Sequence, residues 1–208
     1  MKDSPRTLAF AAVLALCCAS LLTAANHFLR PYQLANEQAH HWRNVLDVLG
    51  VPYDAAAGSE ALVAAAQRQV RQRDVAGMKV YAYAPPGGRG VLRAVEFAGP
   101  GLWGPVEGLL CFEGDLRTIR AVRFYKHEET PGLGAKIETP QFTDQFRGKA
   151  PGEGGIRFVR SGAAGDSEVD AITGATLTCD KVAAMLNDAL ARVAEHRAEI
   201  LKETANVR

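Results

Sequence analysis

Residues 8–25 form an unbroken stretch of apolar, small or weakly polar side chains with no charge. About 20 such residues at 1.5 Å rise cross a bilayer. Lys2 and Arg6 precede the stretch, which assigns the N-terminus to the cytoplasm and exports the remainder of the chain. A cleaved signal peptide is the rival reading, because small residues close the run. The run is longer than a signal core and stays apolar to its end, so an uncleaved anchor is expected. Leu16 and Cys17 are too bulky ahead of Cys17 and Cys18 for a lipoprotein site. Pro31 is expected to break the segment. A helical period follows over 34–49, with Leu34, Trp42, Val45, Leu46 and Leu49 near one face and Gly50 and Pro52 as a stop. Ser59 is expected to cap a second helix running to about Arg71, with Leu62, Ala66 and Val70 turned inward.

The period changes near Met78. Residues 80–83 and 91–97 read as strands around a Pro-Pro-Gly-Gly turn at 85–88, and 106–112 and 118–125 as a hairpin around Glu113-Gly114-Asp115. Ile119, Val122 and Phe124 break strict alternation, so the second hairpin strand has no clear face. Residues 141–146 look helical and 156–159 read as a further strand. Residues 177–202 read as one long helix with Val182, Met185, Leu186, Ala189, Leu190 and Val193 as its apolar stripe. The pattern predicts an α+β fold, an antiparallel sheet flanked by helices and preceded by one N-terminal transmembrane helix. Three parts are expected: a cytoplasmic tip and anchor over 1–30, a helical connecting segment over 31–75, and a ligand-bearing domain over 76–208.

Composition removes some function classes. The net charge of +1 gives no nucleic-acid footprint. The four cysteines show neither CxxC nor zinc-finger spacing; Cys111 and Cys179 either pair or stay free. His127 has no second histidine at ligand spacing and reads as a turn residue, so no metal site is expected.

Chemistry concentrates in three stretches. Asp170-Ala171-Ile172-Thr173-Gly174-Ala175-Thr176-Leu177-Thr178 turns sharply at Gly174 into the start of the last helix. Unpaired N–H groups and the positive dipole end favour an anion there, and a hydroxyl at that place binds a phosphate or accepts one covalently. The plainer alternative is a cap, with Thr176 or Thr178 satisfying backbone donors. The glycine-rich loop 99–105 lacks the βαβ surroundings of a dinucleotide fingerprint; it is either a structural turn or, through Trp103, a wall for a planar ligand. The turn His127-Glu128-Glu129-Thr130-Pro131-Gly132-Leu133-Gly134 sets carboxylates and a hydroxyl beside a corner of backbone N–H groups.

Glu129-Thr130-Pro131-Gly132-Leu133-Gly134 followed by Asp170-x-x-Thr173-Gly174-Ala175-Thr176 resembles the FMN-binding domain of bacterial respiratory complexes. That family includes the C subunit of the sodium-translocating NADH:quinone reductase (Nqr) and the G subunit of the related Rnf complex. Its flavinylation signature is Asp, two variable residues, Ser or Thr, Gly, Ala and the modified Ser or Thr. The resemblance implies FMN joined to Thr176 by a phosphodiester, placed there by an Mg-dependent, ApbE-type flavin transferase that uses FAD. It also implies Glu129, Thr130 and Leu133 against the flavin ring, and Thr173, Gly174 and Ala175 around the phosphate end. Arg160 stands where the quinone reductase subunits tend to have a lysine and is a candidate flavin or phosphate contact. Residues 76–208 would then be the FMN-binding domain, on the periplasmic side of a bacterial inner membrane. The implied role is a single-pass electron-carrier subunit with no catalytic residue of its own, partnered by the other membrane subunits of an Nqr or Rnf complex. Gly101-Leu102-Trp103 favours the Nqr type, whereas Ala135-Lys136-Ile137-Glu138 is closer to Rnf. Two rivals remain: a reversible binder of a phosphate-bearing ligand, and a purely structural subunit.

Overall fold

The computed structural model describes residues 5–87 and 90–202; Lys2, the rest of the tip 1–4, Gly88 and the tail 203–208 lie outside the described residues. The first element, α1, runs unbroken over Pro5–Leu49. At 1.5 Å per residue it is about 67 Å long. Pro31 lies inside it rather than ending it. The ring removes a single N–H, and the carbonyl it would have bonded belongs to an exposed stretch. Through residue 34 the large apolar side chains of α1, such as Leu8, Phe10, Leu21 and Phe28, are exposed. The helix is long and apolar enough to cross a membrane.

The other end of α1 is a core element. Ala39, Trp42, Val45, Leu46, Val48 and Leu49 are buried with Leu62 and Ala66 of α2 (Ser59–Gln69) and with Tyr81, Tyr83, Leu92, Ala94, Leu109 and Cys111 of the sheet. Burying a side chain such as Leu46 contributes on the order of 2 kcal/mol. Polar bonds fix the register of this docking. Arg123 Nε donates to Asn44 Oδ1 at 2.6 Å, and the buried Asn44 amide donates to the His40 carbonyl at 2.9 Å. Tyr81 bonds His41 Nε2 at 2.9 Å and donates to Glu96 at 2.5 Å. Ser59 is not the cap of α2. Gly58 holds that position, and the Ser59 hydroxyl donates instead to Asn36 Oδ1 of α1 at 2.8 Å.

Five antiparallel strands follow in simple order: β1 (Arg71–Val75), β2 (Met78–Tyr83), β3 (Leu92–Pro100), β4 (Pro105–Phe112) and β5 (Ile119–Lys126). β1 lies inside the stretch read as a helical connection. Its Arg71, Gln72, Arg73 and Asp74 are exposed, as suits an edge strand, so no apolar alternation announces it. The ambiguous strand β5 is explained by register shifts against β4. Cys111 pairs with Ala121 and Phe112 with Ile119, leaving Arg120 as the extra residue. That bulge puts Ile119 on the same face as Val122 and Phe124, all three in one core.

This second core lies on the sheet face opposite α1. It is closed by α3 (Pro140–Thr143), a parallel pair of short strands β6 (Arg157–Val159) and β7 (Glu168–Asp170), and α4 (Thr176–Glu195). The stretch 141–146 is split between α3 and a 3-10 turn, Asp144–Phe146. The last helix is likewise two: α4 ends at His196 and α5 (Arg197–Lys202) resumes. The bend returns Ile200 to the core and brings Arg197 to the Asp115 carbonyl at 2.6 Å. The architecture is therefore α+β, with helices on both faces of an antiparallel sheet.

Candidate functional site

Three loops converge at the end of the sheet where β3 turns into β4, where β5 ends, and where α4 begins. The residue at which they meet is Glu129. Its side chain is 4% exposed. Oε1 accepts the Leu102 N–H at 2.6 Å and Oε2 accepts the Thr178 hydroxyl at 2.7 Å. One carboxyl therefore joins loop 101–104, its own turn and the first turn of α4. Two glycines permit the approach. A Cβ on Gly101 would stand 2.5 Å from Oε1, and one on Gly134 would stand 2.6 Å from Oε2. Neither has a positive φ, so each is needed for space rather than for backbone conformation.

The turn after Glu129 is tight. The Thr130 carbonyl accepts N–H groups from both Leu133 and Ala135 at 3.1 Å, with Gly132 at φ +76° between them. Thr130 and Leu133 are exposed. His127 lies underneath, bonded through Nδ1 to the Glu129 N–H at 3.3 Å and through Nε2 to Glu138 at 3.2 Å.

The turn into α4 is held by atoms on either side of it. Asp170 donates its N–H to Gln145 Oε1, and its carboxylate accepts the Ala163 N–H, both at 2.7 Å. Ala171 N–H bonds the Val159 carbonyl at 2.7 Å. Ile172 donates to the Cys179 sulfur at 3.3 Å, tying the turn to the helix it precedes. Burial raises the Cys179 thiol above its ordinary pKa. Gly174 has φ +82°, and a Cβ there would meet the Leu133 side chain at 3.2 Å. The two motifs that the sequence separates therefore touch.

Ala175 is the N-cap of α4 and makes no side-chain capping bond. Thr176 is the first helical residue and is exposed, as is Thr173. Thr178 is 2% exposed and its hydroxyl is committed to Glu129. The cap alternative therefore has no support here, because neither Thr176 nor Thr178 caps the helix by side chain. The first-turn N–H groups have no intrahelical partner, as at every helix start.

Exposed apolar side chains gather in the same segments. Outside α1, the large apolar side chains exposed among the described residues are Leu102, Trp103, Leu133 and Leu177, the first three on these loops and Leu177 in the first turn of α4. Trp103 is 68% exposed and Leu177 60%. Such a rim suits a flat aromatic ring, while the helix start suits a phosphate. Arg160 is exposed directly after β6, whose Val159 pairs with Asp170, so it stands beside the strand that leads into the turn. Cys111 and Cys179 are unpaired and belong to the two cores on opposite faces of the sheet, which leaves no path to a disulfide. Burial pushes the Cys111 thiol up to about 12.

Residues 101–191 match the family model of the FMN-binding domain. The C subunit of the Na(+)-translocating NADH-quinone reductase of Chlamydia trachomatis is 41% identical over 114 residues, which span 45% of this chain and 36% of that protein. Its counterpart from Pasteurella multocida is 28% identical across 87% of this chain and 88% of its own length. The crystal structure of the C subunit from Parabacteroides distasonis superposes with a TM-score of 0.66 at 26% identity, over 80% of this chain and 95% of that one. The fold is shared as well with NqrC of Shewanella oneidensis, at TM-score 0.62 and 22% identity, over 74% of this chain and 91% of that one. The chain therefore carries, over residues 101–191, an FMN-binding domain similar to that of the C subunit of the Na(+)-translocating NADH-quinone reductase.

Proposed function

We propose that this protein is the membrane-anchored, covalently flavinylated electron-carrier subunit of an Nqr-type NADH:quinone oxidoreductase. The observation that carries the reading is the contrast among three hydroxyls: Thr176 opens α4 and is exposed, whereas Thr178 two residues on is buried and bonded. Thr173, also exposed, precedes the glycine turn and lies outside the helix. Thr176 alone combines an open hydroxyl with the anion-favouring first turn. A flavin transferase of the ApbE type would join the Thr176 oxygen to the FMN phosphate of FAD, releasing AMP as the pyrophosphate bond breaks and the hydroxyl proton leaves.

The residues divide the work. Gly174 and Ala175 would let a phosphate reach the helix start, where Thr173 and Arg160 would supply a hydroxyl and a positive charge. Leu133, Trp103, Leu102 and Leu177 would shield a bound flavin ring from water, and Thr130 would offer it a hydroxyl. FMN, when bound, accepts and passes electrons. The protein fixes its position and surroundings. The apolar part of α1 would place the domain on the periplasmic face of the inner membrane, with Arg6 on the cytoplasmic side. Among the described residues, α1 carries no charge between Arg6 and Arg30, so this one span supplies no ion pathway and the coupled transport belongs to partner subunits. The Rnf-type alternative rests on Ala135-Lys136-Ile137-Glu138; the similarity to C-subunit proteins favours the Nqr type.

The test is covalent colour. The full chain, co-expressed with an active flavin transferase, should keep yellow fluorescence through denaturing electrophoresis. Thr176→Val should lose it. A colourless wild-type chain beside an active transferase would overturn the proposal in favour of a reversible binder or structural subunit.

A further inference from the structure

Glu129 is matched by resemblance to a flavin-contacting position, yet both its carboxyl oxygens already hold donors from this chain. We propose that Glu129 is a positioning residue: it clamps the Trp103 loop, the Leu133 turn and the first turn of α4 into one frame and so sets the Thr176 hydroxyl against the apolar rim. The consequence for Thr176 rests on the flavin reading, while the clamp itself is a property of the chain without any ligand.

The geometry makes Glu129 the common member of the polar contacts that join these loops. Leu102 carries the donor of one bond and is next to Trp103. Thr178 carries the donor of the other and lies two residues after Thr176. Gly134 is packed against both the carboxyl and the Thr178 hydroxyl: a Cβ there would be 2.6 Å from Glu129 Oε2 and 2.8 Å from Thr178 Oγ1. Loop 101–104 is otherwise closed by the Gly101 N–H to Gly104 carbonyl bond at 2.8 Å, which shapes it without tying it to α4. Both donors are uncharged, and the short 2.6 Å and 2.7 Å bonds are those of a carboxyl acting as acceptor at each oxygen. The same bond removes Thr178 as a competing acceptor of the flavin phosphate. Its hydroxyl proton points into Glu129 and its oxygen is buried.

A glutamine keeps the frame in principle. Its carbonyl oxygen accepts from Leu102, and its NH₂ donates to the Thr178 oxygen after the hydroxyl rotates. Alanine keeps neither bond. The full chain in detergent, made without transferase, would be compared as wild type, Glu129→Gln, Glu129→Ala and Thr178→Val by hydrogen exchange. Exchange of the Leu102 amide should quicken about tenfold in Glu129→Ala, the loss of one hydrogen bond to a carboxylate. Amides of β3 and β4 should change much less, and Glu129→Gln should restore protection. In Thr178→Val, Leu102 should remain protected. With transferase present, the rate of FMN attachment should fall in Glu129→Ala and return in Glu129→Gln. Unchanged Leu102 exchange in Glu129→Ala, or an equal acceleration of all sheet amides, would overturn the clamp; so would failure of glutamine to rescue. A wild-type chain that takes no FMN would instead sink the proposed function and leave the exchange result standing.

Discussion

Gly101→Ala is the sharpest test of how the site is packed. The new Cβ would stand 2.5 Å from Glu129 Oε1, 2.6 Å from the Gly104 carbonyl oxygen and 2.7 Å from a Val106 methyl. The carboxyl can retreat, but the Gly104 carbonyl cannot, because it accepts the Gly101 N–H at 2.8 Å and closes the loop. Overpacking of this kind costs about 1–3 kcal/mol. Displacing Glu129 also loses the Leu102 bond, about 1.5–3 kcal/mol for a charged acceptor. The two overlap, since a retreating carboxyl relieves part of the clash, so a net loss of about 3 kcal/mol is expected. For a domain of this size that lowers Tm by about 6–12 °C. Thermal unfolding of the full chain, followed by circular dichroism in detergent, reads it directly. Gly152→Ala is the control. Its Cβ would meet nothing within 4 Å, and Tm should move by less than about 2 °C. A Gly101→Ala chain melting within about 2 °C of the parent would refute the close approach of loop, carboxyl and strand.

Further outcomes concern the two cores. Cys111 and Cys179 are buried free thiols with pKa values raised by burial, so neither should react with iodoacetamide at about pH 8 until the chain is unfolded; mass mapping of the alkylated cysteines checks this. His41 has its pKa lowered by burial, partly opposed by Glu96 and Glu107 and reinforced by Lys79 and His40, where α1 meets Tyr81 and Tyr125. A base whose folded pKa lies below its unfolded value takes up protons more readily when unfolded. Its contribution is therefore complete above about pH 6.5 and is lost as pH falls from there through the folded value. Melting curves from about pH 7.5 to 5 should show Tm falling with acid, and His41→Gln should flatten that slope. Asn44→Ala leaves Arg123 Nε without its 2.6 Å partner and removes a buried amide bonded to His40, with an expected loss of about 2 kcal/mol in a denaturant titration.

What the sequence discloses depends on where burial leaves a period. Strands β2 to β4 announce themselves because apolar residues there meet a core on each face. β1 does not, since its exposed Arg-Gln-Arg-Asp run is held by ladder bonds rather than by packing. The bulge at Arg120 hides the face of β5, because one extra residue inverts the alternation that a pattern reading relies on. Pro31 misleads in the other direction: a missing N–H is a local signal, and the helix around it persists. At the site, the Thr-Gly-Ala-Thr turn is visible because glycine and a helix start are both written locally. The role of Glu129 is not. A glutamate beside Thr-Pro-Gly looks like a solvated turn, and only the folded chain brings Leu102 and Thr178 to its two oxygens. Gly101 and Gly134 look like turn glycines for the same reason, although both serve as room for that carboxyl. Cys179 looks incidental until its sulfur is found holding the Ile172 N–H.

The most direct measurement on the central claim is fragmentation mass spectrometry of the peptide spanning residues 170–181, taken from the full chain after co-expression with the flavin transferase. Thr173, Thr176 and Thr178 all lie on that peptide, so the fragment series assigns the linkage to one oxygen. FMN as a phosphodiester on Thr176, with Thr173 and Thr178 unmodified, is the result expected from an exposed hydroxyl at the first position of α4 and a neighbour locked to Glu129. FMN on Thr178, or an unmodified peptide beside an active transferase, would contradict the account.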